Sequence, residues 1–244
     1  MDFCVSHCVA WAPDIAGTEQ WREWSQGGRE AGIEGTPKAA RVPPLMRRRL
    51  TRWGRLALEA GGEVAEQLHP DTPVIFSSRH GDTALTQELL RDLAKGEALS
   101  PTSFSLSVHN AAAGLFTITE KLTGPSLALA AGRETFAHAW LEAGAWLAEG
   151  HQQVLLLHAE EPLSGFYAQD ADESELAVGA ALVLTARAGT RVRFNACGAA
   201  TGAQPAPRSL ITEFLAWWFG GTQRLNYTGE RLNWSWERQN DSVV

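Results

Sequence analysis

Residues 123–144 read TGPSLALAAGRETFAHAWLEAG, and the fold turns on how this stretch is read. Gly124-Pro125 makes a turn, and SLALA (126–130) reads as a buried strand, since LALA (127–130) is apolar on both faces. The chain then kinks through Ala131-Gly132 into a helix predicted over 133–149, with Gly150 as its stop. Phe136, Trp140, Gly144 and Leu147 fall on one face of that helix, while Ala139 and Ala143 permit close packing beside it. Enzymes often set a nucleophile at such an elbow, because a helix N-terminus stabilises negative charge. Here the elbow carries Gly132, Arg133 and Glu134, none of which is a nucleophile.

Working outward, 2–11 reads as a strand, and 14–43 as a long irregular segment packed through Trp21 and Trp24. Leu45, Arg49, Trp53, Leu56 and Ala60 recur at helical spacing and predict one helix over 45–68. A strand is expected at 73–78, and a helix at 82–96 with Asp82 as N-cap and Gly96 as stop. Residues 100–108 read as extended, 109–122 as a buried helix and 153–159 as an apolar strand. An acidic loop at 163–175 precedes two strands, 175–186 and 190–198, joined through Arg187-Ala188-Gly189. A linker at 201–209, a helix at 209–219 and a polar, aromatic-bearing stretch at 222–238 close the chain. Strands alternating with helices imply parallel pairing in an α/β architecture, closed by an antiparallel pair.

A chain of 244 residues, 44% apolar and 20% charged, suits a soluble globular protein of one large domain or two small ones. Its net charge of -7 argues against nucleic-acid binding, and no apolar run is long enough to span a membrane. The N-terminus lacks the pattern of a secretory signal. Three cysteines, Cys4, Cys8 and Cys197, are too few for a disulfide framework and point to a reducing cytoplasm. Cys4-x-x-His7-Cys8 offers too few ligands for zinc and is read as side chains on a buried first strand, so no metal is expected.

The flanks of the elbow add a resemblance. SPTSFSLSVHNAAAGLFTITEKLTGPSLALAAG (100–132), with a helix ending in Gly150 and an apolar strand running to Glu160 after it, resembles the β-ketoacyl synthases of fatty acid and polyketide synthesis. In that family a Ser-Pro segment and an Asn-x-x-Ala-Gly helix precede a Gly-Pro turn, a short strand and an Ala-Cys-Ser-Ser elbow. An ungapped count from Gly124-Pro125, and another back from Gly150, both put the family's catalytic cysteine at Arg133, with Gly132 and Glu134 one position either side. The family's synthases have two similar lobes and draw two catalytic histidines from the second. Here the resemblance covers roughly 70–200 and fits 1–70 more loosely.

The resemblance implies a single domain, an α/β thiolase-like fold cut to about one lobe (1–200) plus a C-terminal linker and cap (201–244). It is nearest to the short chain-length-factor-like proteins of aryl-polyene-type pigment clusters. It therefore implies a non-catalytic subunit paired, as a heterodimer or dimer of heterodimers, with a full-length cysteine-containing synthase. An acyl carrier protein is then a further partner, reached through that synthase, and no organic cofactor is needed. By the same correspondence Thr102, Ser103, Phe104, His109, Asn110, Phe116, Leu127 and Leu129 line the acyl tunnel or the partner interface, with Phe104 or Phe116 as a plug limiting product length. The small residues Ala111 to Gly114 allow a partner to approach closely. Arg48, Arg52 and Arg55 share a helical face suited to docking an acidic carrier protein, although a solvated face explains them as well.

Decarboxylative condensation needs a thiolate to hold the acyl chain, and a guanidinium cannot form a thioester. His138 and His158 read as buried, hydrogen-bonded histidines. The alternative is a stand-alone acyl transferase or thioesterase using Thr135 and His138, and a third reading is a self-associating scaffold. Trp217, Trp218, Trp234 and Trp236 are read as covering sheet surface that a second lobe would otherwise bury.

Overall fold

Eight consecutive residues, Gln153–Glu160, are all buried in the computed structural model, which describes residues 1–199 and 204–239. Alternation explains this: Val154 and Leu156 enter one apolar core, and Leu155, Leu157 and Ala159 the other. The strand is the fifth of nine among the described residues, β1 (Asp2–Ala12), β2 (Ile15–Ala16), β3 (Val74–Ser77), β4 (Ser126–Leu129), β5, β6 (Val178–Thr185), β7 (Thr190–Gly198), β8 (Arg224–Thr228) and β9 (Leu232–Arg238). The helices are α1 (Thr18–Ser25), α2 (Pro44–Arg47), α3 (Arg52–Val64), α4 (Thr83–Lys95), α5 (Pro101–Leu106), α6 (Ala111–Glu120), α7 (Thr135–Ala148) and α8 (Leu210–Gly220). One sheet runs β4-β3-β5-β6-β1-β7-β9-β8, with β2 paired to β1.

The sheet divides two cores, which makes the molecule a three-layer α/β/α sandwich. One core gathers Trp21, Phe136, Trp140, Phe214, Trp217, Trp234 and Trp236 under α1, α7 and α8. The other gathers Trp53, Leu56, Phe76 and Phe116 under α3 and α6. Asp82 caps α4 by accepting from the Leu85 amide at 3.0 Å, and Gly96 ends it at φ 73°, as the sequence indicates.

Several expectations are corrected. The segment 45–68 is not one helix: α2 stops at Arg47 and α3 starts after Thr51, whose hydroxyl caps the Gly54 amide at 3.4 Å and also donates to Asp82. Leu45, counted on the helical face, is 74% exposed. Residues 100–108 are not extended. Ser100 accepts from the Ser103 amide at 3.3 Å and Pro101 takes the first helical position, so α5 forms. The irregular segment 14–43 contains α1, anchored by the Trp21 indole donating to the Ala10 carbonyl at 2.7 Å. β6 and β7 do not pair with each other, because β1 lies between them and pairs with both. Among the strands of the described residues, the pairings of β3 with β4 and β5 alone are parallel. The polar stretch 222–238 is the β8–β9 hairpin, whose Leu225, Tyr227, Trp234 and Trp236 point inward. Part of the linker reading, 201–203, and the end of the cap, 240–244, lie outside the described residues.

Candidate functional site: the elbow after β4

The elbow forms because Gly132 adopts φ 63°, a conformation that favours glycine, and because Thr135 ties the turn. The Thr135 hydroxyl donates to the Gly132 carbonyl at 2.6 Å and accepts from the Ala131 amide at 2.9 Å. Arg133 then turns inward and is 8% exposed. Its Nη1 donates to the Asp172 carbonyl at 2.6 Å, its Nη2 to the Ala206 carbonyl, and its Nε lies 3.3 Å from a Glu173 carboxylate oxygen. Arg79, just past β3, meets the same acidic pair, with Nη1 2.8 Å from both Asp172 Oδ1 and Glu173 Oε1 and Nη2 2.9 Å from Asp172 Oδ2.

Two guanidiniums thus face two carboxylates, and exposure separates the carboxylates. Hydrogen bonding from Arg79 holds the Asp172 carboxyl below its ordinary range. Glu173 is far more deeply buried, and desolvation pushes it upward against the pull of Arg133 and Arg79. Glu134 faces the other way. Its Oε1 accepts from the Arg231 and Leu232 amides at 2.8 and 3.4 Å, and its Oε2 from the Trp234 indole at 3.2 Å.

Two titratable groups lie below the elbow. His158 Nδ1 is 2.9 Å from the Ser77 hydroxyl, and burial lowers the imidazole to about 3. Glu160 accepts from the Arg79 amide, and burial raises its carboxyl well above the usual range. Burial thus favours the neutral form of each group. The void they share with Arg133, Glu173 and Ser209 has a volume of about 20 Å³, room for one water and no substrate. Among the described residues no base activates Thr135, whose proton is committed to Gly132. His138 turns Nδ1 to the Glu134 carbonyl at 3.0 Å and sets its ring against Trp234. The hydrolytic dyad is not assembled. Among the described residues no group of three or more His, Cys, Asp or Glu side chains is placed to hold a metal.

The remaining sequence candidates scatter. Phe116 is fully buried in this chain's own core, so it cannot plug a neighbour's tunnel, whereas Phe104 is 60% exposed on α5. Thr102 and Ser103 sit half-buried on α5, and Asn110 precedes α6. His109 Nε2 lies 2.8 Å from the Ser78 carbonyl. Ala112 and Ala113 are core residues, so α6 shows outward Gly114 and the 69% exposed Ile118 instead of a small-residue face. β4 is not buried on both sides. It is an edge strand, with Leu127 and Leu129 half-buried, flanked by α6 and by α7, which exposes Leu141. Arg48, Arg52 and Arg55 do not share a helical face, because Arg48 precedes the break. Arg52 is bound to Glu161 and the Ile33 carbonyl, and Arg55 to the Arg47 and Leu50 carbonyls. Exposed Arg48 and Arg49 form no ion pair with a described residue. Sequence reasoning missed Arg79, Asp172 and Glu173, and the acidity of 163–175 was the one available signal.

The sequence matches a family model described as the β-ketoacyl synthase N-terminal domain over residues 21–237. No curated protein matches it. Among solved structures, it is similar to a chain of the complex of a ketosynthase (ApeO) with its chain length factor (ApeC) from Xenorhabdus doucetiae. Identity there is 28%, covering 98% of this chain and 100% of that one, at TM-score 0.83. It is also similar to the ishigamide ketosynthase/chain length factor, at 17% identity, 83% and 69% coverage and TM-score 0.66. A β-ketoacyl synthase from Burkholderia phymatum matches at 15% identity, 91% and 71% coverage and TM-score 0.67. At those last two identities the likeness is one of fold.

Proposed function

This chain belongs to the β-ketoacyl synthase N-terminal-domain family, and from that premise we propose that it is the non-catalytic, chain-length-factor-like partner of a cysteine-containing ketosynthase in polyketide chain elongation. One observation carries the reading. At the position where the ungapped count puts the family's nucleophile, this chain buries Arg133 and commits its guanidinium to Asp172, Glu173 and Ala206. A protonated guanidinium offers no electron pair to attack a thioester, so acyl transfer must fall to another subunit.

The β4 edge supplies the means of assembly. Ser126–Leu129 presents an unpaired strand edge without charge or proline, and the helices on its two faces expose Ile118 and Leu141. A ketosynthase strand added there would continue the sheet and cover these side chains. The complex is a heterodimer or a dimer of heterodimers, in the cytoplasm, working on chains carried by an acyl carrier protein. The Arg47-Arg48-Arg49 turn offers positive charge to such a carrier. The chemical branch is aryl-polyene-type elongation, with Phe104 reaching the acyl tunnel from α5.

The test is co-expression of the tagged chain with the ketosynthase of its own cells, then native mass spectrometry. A stoichiometric assembly with a cysteine-containing ketosynthase supports the proposal. A chain that leaves the column alone, with no ketosynthase, overturns it.

A further inference from the structure

Arg133 and Glu134 are neighbours in sequence, opposite in charge and both buried, and their long-range partners lie on different parts of the chain. Arg133 reaches the acidic loop at Asp172 and Glu173 and the segment after the linker at Ala206. Those two segments are already tied together, by the Ser174 amide to the Pro207 carbonyl at 2.8 Å and the Ser209 amide to the Ser174 carbonyl at 2.9 Å. Glu134 reaches the β8–β9 hairpin, where one carboxylate gathers two amides and an indole N–H. The turn is shaped for it: a Cβ on Gly229 would collide with Glu134 Oε1 and with the Leu232 carbonyl. Between these anchor points lie α8 and β8, so the C-terminal segment is held at its start by Arg133 and at its far turn by Glu134.

We propose that Arg133-Glu134 is a two-armed clasp that fastens the C-terminal segment 204–238 to the lobe, each arm holding a distinct part of it. The elbow residues position that segment; they are more than filler where a nucleophile is missing. The physics requires no partner protein. A buried guanidinium and a buried carboxylate each need polar partners: the docked segment brings Arg133 the Ala206 carbonyl beside the 172–173 loop that is tied to it, and brings Glu134 two amides and an indole. Docking and satisfaction therefore come together, and losing one arm leaves polar groups of its own contact set unpaired while the other arm stays intact.

Hydrogen exchange on the full chain tests this. Arg133→Ala should accelerate amides at 172–174 and 204–209 by at least about tenfold and change 230–234 by less than about twofold. Glu134→Ala should do the reverse, and neither should accelerate β3, β5 or β6. Millimolar guanidinium should slow exchange again in Arg133→Ala and leave Glu134→Ala unaffected, a rescue that general loosening would not give. Gly229→Ala opens the second arm without replacing either elbow residue, by pushing its Cβ against Glu134 Oε1, and should accelerate 230–234 alone. Where an alanine variant fails to fold, Arg133→Lys and Glu134→Gln carry the same test, because each keeps the bulk and loses the hydrogen-bond geometry. Uniform acceleration across the sheet, or no segment-specific change in any variant, overturns the clasp.

Discussion

The two ends of the sheet are built on opposite principles. At one end β8 alternates exposed Arg224 and Asn226 with buried Leu225 and Tyr227, and α8 packs against it. The Arg224 guanidinium donates to the Asn226 side chain at 2.9 Å, laying a polar fence along the edge. At the other end β4 is Ser-Leu-Ala-Leu, with no charge, and α6 and α7 leave Ile118 and Leu141 in solvent beside it. Natural sheets guard free edges with charge, proline or a covering element. One edge of this molecule is guarded and the other is not, the difference expected if β4 is the strand proposed to take a partner and β8 the one that ends the sheet.

The comparison can be broken most forcefully at β4. Leu129→Asp should weaken ketosynthase binding by about 3 kcal/mol, roughly a hundredfold or more, because it would bury a charge at the centre of the proposed interface. Asn226→Asp at the opposite edge should leave binding within a factor of about two, as surface changes do. Titration of both variants against the same ketosynthase reads the contrast directly. Equal losses at the two edges would refute it.

Removing the guarded end's support should cost at least as much, in stability instead of binding. Trp236 is fully buried between Trp140, Phe194 and Phe214. Trp236→Ala is expected to cost about 3–5 kcal/mol in a denaturant titration. The fraction that stays folded should still bind ketosynthase, since β4 draws its neighbours from β3, α6 and α7.

A smaller effect comes from pH, and it originates below the elbow. His158 has a folded-state value of about 3 against an ordinary 6.5, so its neutral form is the one the fold holds. Stability is intact above about 6.5 and is lost as pH falls from there toward 3. Glu160 has the opposite sign: its folded value is raised, so its contribution is full below the unfolded value and is lost as pH rises toward the folded one. Glu160→Gln should therefore raise the melting temperature more at pH 8 than at pH 5. A gain independent of pH would contradict this assignment.

The smallest effect concerns product length. Phe104→Ala removes an exposed ring from α5 without touching either core, so stability should change by less than about 0.5 kcal/mol. If the ring reaches the partner's tunnel, the reconstituted pair should release longer chains, read by mass spectrometry. Unchanged lengths would remove Phe104 from the tunnel.

Local chemistry was legible in the sequence and distant pairing was not. Gly124-Pro125, the SLAL strand and the Phe136–Trp140–Leu147 stripe declared β4 and α7, because each signal lies within one element. Asp82 and Gly96 marked α4 in the same way. Ser100-Pro101 was an equally local cap and marks α5 once read as one. Thr51 splits the basic segment for a reason the 45–68 periodicity hides, since its hydroxyl is shared with Asp82 across the fold. The insertion of β1 between β6 and β7 is a matter of topology, and no spacing within 175–198 encodes it. The elbow showed what Arg133 lacks. What Arg133 holds was hidden, because its carbonyl partners lie 39 and 73 residues away.

The measurement that bears most directly on the central claim is the intact mass of both subunits after incubation with an acyl carrier thioester. The account predicts one acyl adduct on the ketosynthase cysteine and none on this chain, with condensation abolished when that cysteine is replaced. An acyl adduct on this chain, or condensation that survives loss of the partner's cysteine, would contradict it.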